Sequence, residues 1–179
     1  MPIDARVSRE SPKKVLLVAI PSVSVDVPPL GPALMRTIAE DEGWTAGLMD
    51  FNLGLYKKSK HLHSWTSGGL SLKNAKRYVR ILREWKQSID QFDPDLLAIS
   101  VFSHQSHCHA TLALKWFKKK SPYLETVIGG AGVLAKNYGK DTFHAKMVDH
   151  YVVGEGERPF RALLRGLPAP GLDNNNLTI

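Results

Sequence analysis

Five short, almost entirely apolar runs are the most regular feature of the hydrophobic pattern, and polar or glycine-rich residues bound each of them. A continuous run of aliphatic and β-branched residues is typical of a strand that is buried on both faces of a parallel sheet. Strands are therefore predicted at residues 14–20, 44–50, 95–102, 125–130 and 148–154.

Helices are predicted in the segments between these strands. The clearest one begins at Ser71 and ends before Asp93-Pro94, with basic residues opposite an apolar stripe. The stripe that we expect to face the core consists of Leu72, Ala75, Val79, Leu82, Trp85 and Ile89. Shorter helices are expected at residues 33–43, 107–122, 133–146 and 156–166. The polar residues 52–70 give no clear prediction.

The alternation of strands and helices predicts an α/β fold with a doubly wound, five-stranded parallel sheet. In such a sheet, ligands bind outside the carboxyl ends of the strands. Loops of unusual composition follow four of the predicted strands, so the candidate site lies where they meet. These loops are residues 21–31, 102–109, 129–133 and 154–157.

The 179 residues suit one domain with its own core, because 43% of them are hydrophobic. Residues 1–13 are expected to be flexible, residues 14–167 to form the α/β domain, and residues 168–179 to be a linker or tail. No stretch approaches the roughly 20 apolar residues of a membrane span. The N-terminus also lacks the apolar run of a secretory signal, so a cytoplasmic location is expected.

The single cysteine, Cys108, excludes a disulfide framework and any site built from several thiolates of this chain. It lies in the run SHQSHCH with His104, His107 and His109. Consecutive residues at a helix start point in different directions, so we do not expect a dedicated metal site in this run. Cys108 is expected to be a small buried residue.

The formal net charge of +7 permits an acidic partner or a nucleic acid without requiring either. The basic residues cluster between Lys73 and Arg83 and in the lysine run at residues 118–120. No aromatic residues for base stacking are interleaved with them, which favours a solvated helix face.

Four short motifs lie at the ends of the predicted strands. DVPPLG, from Asp26 to Gly31, follows the first strand. Pro94 precedes the third strand, which begins at Asp95 and ends in Ser100-Val101-Phe102. Ile128-Gly129-Gly130 ends the fourth strand, and residues 149–157 read DHYVVGEGE. Each motif alone is weak, but four of them occur in order at strand ends.

Together these motifs resemble the cobalamin-binding domain at the N-terminus of many radical S-adenosylmethionine enzymes. The resemblance covers about residues 14–167 and implies a Rossmann- or flavodoxin-like cobalamin-binding fold. The methionine synthase type of domain has a related D-x-H-x-x-G motif, whose His ligates cobalt. That position is Pro28 here. The resemblance therefore implies cobalamin without a His lower ligand, its cobalt held by the corrin and by no protein side chain.

The resemblance also implies which residues contact the cofactor. They are Ser24, Asp26, Leu30, Gly31, Ser100, Phe102, Ser103, His104, Gly129, Gly130, Ala131, Gly154, Glu155 and Gly156. Several have an alternative structural interpretation. The Gly129-Gly130 pair also suits a tight turn, and Ser100 and Ser103 also suit local backbone hydrogen bonds at a helix start. Glu155 and Glu157 also suit a loop that caps the last helix.

By resemblance, the chain is a cobalamin-binding module that presents the corrinoid to a separate catalytic partner. The partner is expected to be a radical SAM domain or subunit of the methyl-transfer type, which carries S-adenosylmethionine and the iron–sulfur cluster. This chain lacks the family's C-x-x-x-C-x-x-C motif and ends where the barrel would begin, so no catalytic residue is expected on it. The resemblance therefore implies one half of a split system, a truncated form or a free-standing carrier. The alternative is a non-catalytic adaptor that keeps the fold without the cofactor and contacts nucleic acid through its basic helix.

Overall fold

A six-stranded sheet runs through the molecule in the order β2-β1-β3-β4-β5-β6. This computed structural model describes residues 11–21, 26, 28–58, 72–134 and 147–174. The first five strands are parallel, which confirms the predicted α/β fold, and their order is the flavodoxin-like one. The strands are β1 (Lys14–Ala19), β2 (Thr45–Asp50), β3 (Leu96–Ser100), β4 (Glu125–Gly129), β5 (His150–Val152) and β6 (Leu172–Asn174).

The sixth strand was not predicted from the sequence. β6 pairs antiparallel with β5, with Leu172 opposite Val152 and Asn174 opposite His150. Its sequence, LDN, is too short and too polar to produce a hydrophobic pattern. β6 forms because the outer edge of β5 offers backbone donors and acceptors that a passing segment can pair. It lies within residues 168–179, which the sequence indicates only as a linker or tail.

Within the described residues, six helices connect the strands: α1 (Leu30–Asp41), α2 (Phe51–Lys58), α3 (Leu72–Phe92), α4 (His104–Lys120), α5 (Ala131–Leu134) and α6 (Glu157–Leu164). α1 begins before residue 33, because Pro32 lies in the first turn, where its missing N–H costs no helical hydrogen bond. α2 lies in the segment that the sequence left unassigned. Most of the helix predicted at residues 133–146 lies outside the described residues.

The sheet separates two apolar layers. α1 and α6 cover one face and bury Ile38, Ala39 and Phe160 against Leu17 and Val127. The other face is covered by α2, α3, α4 and α5, which supply most of the larger core cluster. Strands β1, β3 and β4 contribute apolar side chains to both layers, as expected for parallel strands buried on both sides.

The apolar stripe of α3 differs from the predicted one at Val79, which is 39% exposed. Tyr78 is buried instead, with its ring centroid 6.2 Å from that of Trp85 and its hydroxyl 3.1 Å from Nδ1 of His109. Burial raises the pKa of the Tyr78 hydroxyl. A buried tyrosine can hydrogen-bond through its hydroxyl while its ring fills the core. A pattern that counts only apolar residues therefore does not include it.

Asp149, the aspartate that begins the DHYVVGEGE motif, lies at the amino end of β5, away from the candidate site. Its Oδ2 accepts hydrogen bonds from Lys118 Nζ at 2.7 Å and from Thr126 N and Oγ1 at 2.7 and 2.8 Å. Burial acts to raise the carboxyl pKa. The hydrogen bonds from Lys118 and Thr126 outweigh it and hold the pKa of Asp149 below its ordinary value. Asp149 thus stabilises the junction of β4 and β5.

We expect Asp149→Asn to lower the free energy of unfolding at neutral pH by about 1–3 kcal/mol, because it weakens charged hydrogen bonds around the partly buried Lys118. The folded pKa of Asp149 is depressed, so its stabilisation is present above the unfolded pKa and is lost as the pH falls through the folded pKa. The difference from wild type should therefore shrink below about pH 4.

Urea unfolding followed by circular dichroism at neutral and acidic pH measures this difference. The matched control is Asp41→Asn, which removes an exposed carboxylate 3.8 Å from Arg161 and should change stability by less than about 0.5 kcal/mol. Equal effects of the two variants, or a difference that persists in acid, would rule out the assigned role of Asp149.

Candidate functional site

A cavity of about 220 Å³ opens at the carboxyl edge of the sheet, on the face covered by α1 and α6. Its floor consists of inward-facing residues of four strands: Leu17, Ala98, Val127 and Val152. Leu34 and Met35 of α1 and Phe160 of α6 form apolar walls. The cavity adjoins the boundary between β1 and β3, where the strand order reverses, and such switch points are the usual ligand sites of these folds.

A carboxylate ties the two walls of the cavity together. Glu42, which ends α1, accepts hydrogen bonds from Nε and Nη2 of Arg165 at 2.6 and 2.8 Å and also from Arg161. The hydrogen bond from Arg165 has the largest effect on the pKa of Glu42. Partial burial acts to raise this pKa, but the hydrogen bonds and charges of Arg165 and Arg161 hold it below its ordinary value. The Glu42 carboxylate therefore stays charged at neutral pH, and its hydrogen bonds to Arg161 and Arg165 hold α6 against α1.

The turn after β4 brings two backbones into close contact. Gly130 has a φ of +103°, and a Cβ built there would lie 2.6 Å from the carbonyl oxygen of Val101. The same oxygen accepts a hydrogen bond from the N–H of Gly132 at 2.9 Å. Gly130 is thus required by the chain's own packing, which is the tight-turn interpretation. Gly129 and Gly130 also line the cavity.

Glycines shape the turn after β5 as well. Gly154 has a φ of +86°, a left-handed conformation that side-chain-bearing residues rarely adopt. At Gly156, a Cβ would lie 3.6 Å from Cε and Sδ of Met35. The absence of that atom leaves open the space between the start of α6 and α1, so Gly156 enlarges the cavity.

Glu155 and Glu157 are the only charged residues among the described ones that line the cavity. Within the described chain, neither carboxylate has an ion-pair or hydrogen-bond partner. Glu157 lies in the first turn of α6, whose N-cap residue Gly156 has no side chain to cap with. The capping interpretation of these glutamates therefore finds no hydrogen bond, although a carboxylate in a first helical turn is favourable.

Large apolar side chains are exposed around the mouth of the cavity. Leu30 is 79% exposed in the first turn of α1, and Phe102 is 64% exposed in the loop after β3. Leu34, one helical turn from Leu30, is also exposed and reaches the cavity. Exposed apolar residues grouped at one edge are typical of a binding surface.

The structure brings half of the proposed cofactor-binding residues together. Those that line the cavity are Gly31, Ser100, Gly129, Gly130, Gly154, Glu155 and Gly156. Asp26, Leu30, Phe102, Ser103 and Ala131 are not part of its lining. Ser24 and the side chain of His104 lie outside the described residues.

Ten further residues that line the cavity were not among the proposed binding residues, mostly because sequence reasoning considered loops and not the interiors of strands and helices. They are Leu17, Pro32, Leu34, Met35, Ala98, Ile99, Val127, Val152, Glu157 and Phe160. The small side chain of Ala98 within an otherwise large apolar run was an available signal for a cavity floor.

Ser103 serves the start of α4. Its Oγ accepts a hydrogen bond from the N–H of Ser106 at 3.2 Å, and Ser106 Oγ accepts one from the N–H of Ser103 at 2.6 Å. This reciprocal capping box satisfies donors that the helix N-terminus would otherwise offer to a ligand. The local-backbone interpretation of Ser103 accounts for these contacts.

Among the side chains that the structure describes, no group of three potential metal ligands occurs; of the histidine run, these include His107 and His109 but not His104. His107 and His109 are both buried on α4, and His109 contacts Tyr78. The side chain of Cys108, expected to be buried, lies outside the described residues.

None of the helices within the described ranges combines the length and apolarity needed to cross a membrane.

No protein-family model and no curated protein sequence matches the chain. Solved structures share its fold. One is the radical S-adenosylmethionine methyltransferase TsrM from Kitasatospora setae, solved with cobalamin and a 4Fe-4S cluster bound. It has a TM-score of 0.60 and 18% identity over 93% of this chain. The same enzyme with tryptophan and a SAM analogue gives a TM-score of 0.56 at 18% identity.

A cobalamin-binding protein from Desulfitobacterium hafniense DCB-2 is also similar, with a TM-score of 0.52 and 13% identity over 88% of this chain. The chain spans 30% of the length of TsrM and 60% of that of the Desulfitobacterium protein. Identities this low establish the fold alone. The chain thus has the α/β fold found in cobalamin-binding structures, as its motifs predicted.

Proposed function

We propose that this protein binds cobalamin at the carboxyl-edge cavity and presents it to a radical SAM catalytic partner of the methyl-transfer type. The observation that carries the proposal is an apolar cavity bounded by glycine turns, at the switch point of a fold shared with one structure solved with cobalamin bound and with a cobalamin-binding protein. A cytoplasmic setting, suited to the partner's reduced iron–sulfur cluster, is part of the proposal.

The residues of the cavity fit one portion of cobalamin. A volume of about 220 Å³ lies below the range of about 300–1,000 Å³ of sites that enclose whole drug-sized ligands. The cavity therefore suits the apolar base of the nucleotide tail and not the larger corrin. The exposed Leu30 and Phe102 at the mouth suit the flat, largely apolar surface of a ring that lies outside.

The partner supplies the reaction chemistry in this proposal. Bound cobalamin provides a cobalt centre that accepts and transfers a methyl group, and this chain's own residues only bind and orient the cofactor. S-adenosylmethionine and the cluster belong to a separate domain or chain, because one cysteine cannot supply the several thiolates that a cluster needs. The alternative, an adaptor without cofactor, predicts that residues 21–31 or 52–70 fill the groove, and most of those residues lie outside the described ones.

Gel filtration after incubation with hydroxocobalamin tests the proposal. Corrin absorbance should elute with the protein, and addition of a radical SAM partner should shift both to an earlier volume. If no corrin absorbance elutes with the protein, with or without a partner, cobalamin binding is wrong. If corrin elutes with the protein but the partner does not shift the elution volume, cobalamin binding stands and presentation to that partner is wrong.

We expect bound cobalamin to have no histidine of this protein as its lower cobalt ligand. Pro28 offers no ligand atom, and no described residue that lines the cavity is a histidine. Reduction to the cob(II)alamin state and electron paramagnetic resonance check this, because a nitrogen ligand splits the cobalt lines. The spectrum should be the same whether the protein's histidines carry the common or the heavy nitrogen isotope. An isotope-dependent splitting would identify a histidine ligand.

A further inference from the structure

The charge distribution of the carboxyl-edge cavity is one-sided. Its apolar floor and walls carry two carboxylates at the mouth, Glu155 and Glu157, while no lysine, arginine or histidine of the described chain lines it. This contrasts with the net charge of +7 for the whole chain. The nearest basic residue along the chain, Arg158, is exposed and lies outside the lining. As far as the described residues define it, the mouth is therefore negative, although the whole chain carries a net positive charge.

Glu155 and Glu157 have no ion-pair partner among the described residues, and they lie beside apolar walls where an entering ligand would interact with them. Electrostatic interactions strengthen as the ligand displaces water from an apolar site, because the effective dielectric constant falls. A carboxylate has no donor and accepts hydrogen bonds only, so it attracts N–H groups and repels other anions. Hydrogen bonds to an ionised acceptor are roughly twice as strong as neutral ones.

We infer that Glu155 and Glu157 make the site selective for corrinoids whose peripheral groups are amides, and reject those whose amides have been hydrolysed to carboxylates. This inference rests on the proposed cobalamin binding and adds the chemical class of corrinoid that the site accepts. The amides present N–H donors to the two glutamates. The hydrolysed forms place like charges at the mouth of the cavity.

The same charges bear on the phosphate of the cofactor, which they keep outside the cavity. The N-terminus of α6 would attract an anion, but its own Glu157 occupies the first turn. The N-terminus of α4 is closed by the Ser103 and Ser106 capping box. A phosphate is therefore kept out of the cavity, and only the neutral part of the nucleotide tail enters.

Equilibrium titration with two probes tests the inference. The probes are hydroxocobalamin and a derivative in which peripheral propionamides are hydrolysed to carboxylates. The wild-type protein should bind the derivative at least about tenfold more weakly, a conservative figure for like charges brought together at an interface. The difference should narrow at high salt, because the glutamates lie at the solvent-accessible mouth.

The double variant Glu155→Gln, Glu157→Gln keeps the size of both side chains and one acceptor oxygen on each, and replaces the other oxygen by an NH2 donor. It should bind hydroxocobalamin a few-fold more weakly and the hydrolysed derivative more tightly, so that the preference for hydroxocobalamin falls to within about threefold. Glu40→Gln is the matched control. It removes a negative charge from α1, where Glu40 pairs with Arg36, and should keep the wild-type preference for hydroxocobalamin. Circular dichroism confirms that the variants fold, and each single variant should show part of the effect.

The outcomes separate the inference from the proposed function. If the wild type binds both corrinoids equally, or the double variant keeps the preference, the inference is overturned while cobalamin binding stands. If the wild type binds neither probe, both are overturned. A preference that disappears in the double variant and persists in Glu40→Gln supports both.

Discussion

Replacing Ala98 by phenylalanine is expected to lower the affinity for cobalamin about a hundredfold. Ala98 lies in β3 on the floor of the cavity and is 8% exposed, so a larger side chain there extends into the cavity. Burying one ring-sized apolar group contributes about 1.5–3 kcal/mol. At about 1.4 kcal/mol per factor of ten, losing that burial accounts for the expected change.

Titration of wild type, Ala98→Leu and Ala98→Phe with hydroxocobalamin should give a graded loss of affinity. Thr37→Phe adds the same ring on the exposed side of α1, outside the lining, and should bind like wild type. Thermal unfolding of each variant separates a filled cavity from a damaged fold, since overpacking costs about 1–3 kcal/mol. Undiminished binding by a folded Ala98→Phe protein would show that the ligand lies elsewhere.

Gly130→Ala is expected to lower the free energy of unfolding by about 3 kcal/mol and to weaken cobalamin binding as well. Two effects add at this position. An alanine is strained at a φ of +103°, and its Cβ would lie 2.6 Å from the Val101 carbonyl oxygen, which is backbone and cannot rotate away. Relief of that contact moves the turn after β4, and this turn lines the cavity.

Gly54→Ala is the matched control for Gly130→Ala. Gly54 lies inside α2, and a Cβ there would meet nothing within 4 Å. The alanine should therefore stabilise the protein by about 0.5–1 kcal/mol through helix propensity. Chemical unfolding of both variants measures the two changes. Similar effects at Gly54 and Gly130 would mean that the close approach of the two backbones is not what requires Gly130.

The parallel strands could be predicted because strands buried on both faces carry long apolar runs. The run at residues 14–20, for example, supplies Leu16 to one core layer and Leu17 to the other. β6 could not be predicted, because backbone pairing with an edge strand leaves no trace in side-chain polarity. The start of α2 had a usable signal that was overlooked. Asp50 accepts a hydrogen bond from the N–H of Leu53 at 2.8 Å, and aspartate is a common residue before a helix.

The candidate site could be predicted only where backbone conformation leaves a mark on the sequence. Gly130 and Gly154 were visible because their positive φ angles favour glycine. The cavity floor could not be predicted, because an apolar strand residue such as Val127 looks the same in the sequence whether it faces a cavity or a packed helix. The negative charge at the mouth could not be predicted either. It depends on the folded positions of Glu155 and Glu157 beside an apolar cavity, whereas the sequence shows only a net positive charge.

Amide hydrogen exchange with and without hydroxocobalamin shows whether the carboxyl-edge cavity binds cobalamin. We expect slower exchange in the turns at residues 129–132 and 154–156, which flank the cavity. The amino edge, around His150 and Arg165, should exchange as it does without cofactor. It has a groove of its own and so serves as an internal comparison. Protection at that amino edge alone, or no protection at any residue, would contradict the account.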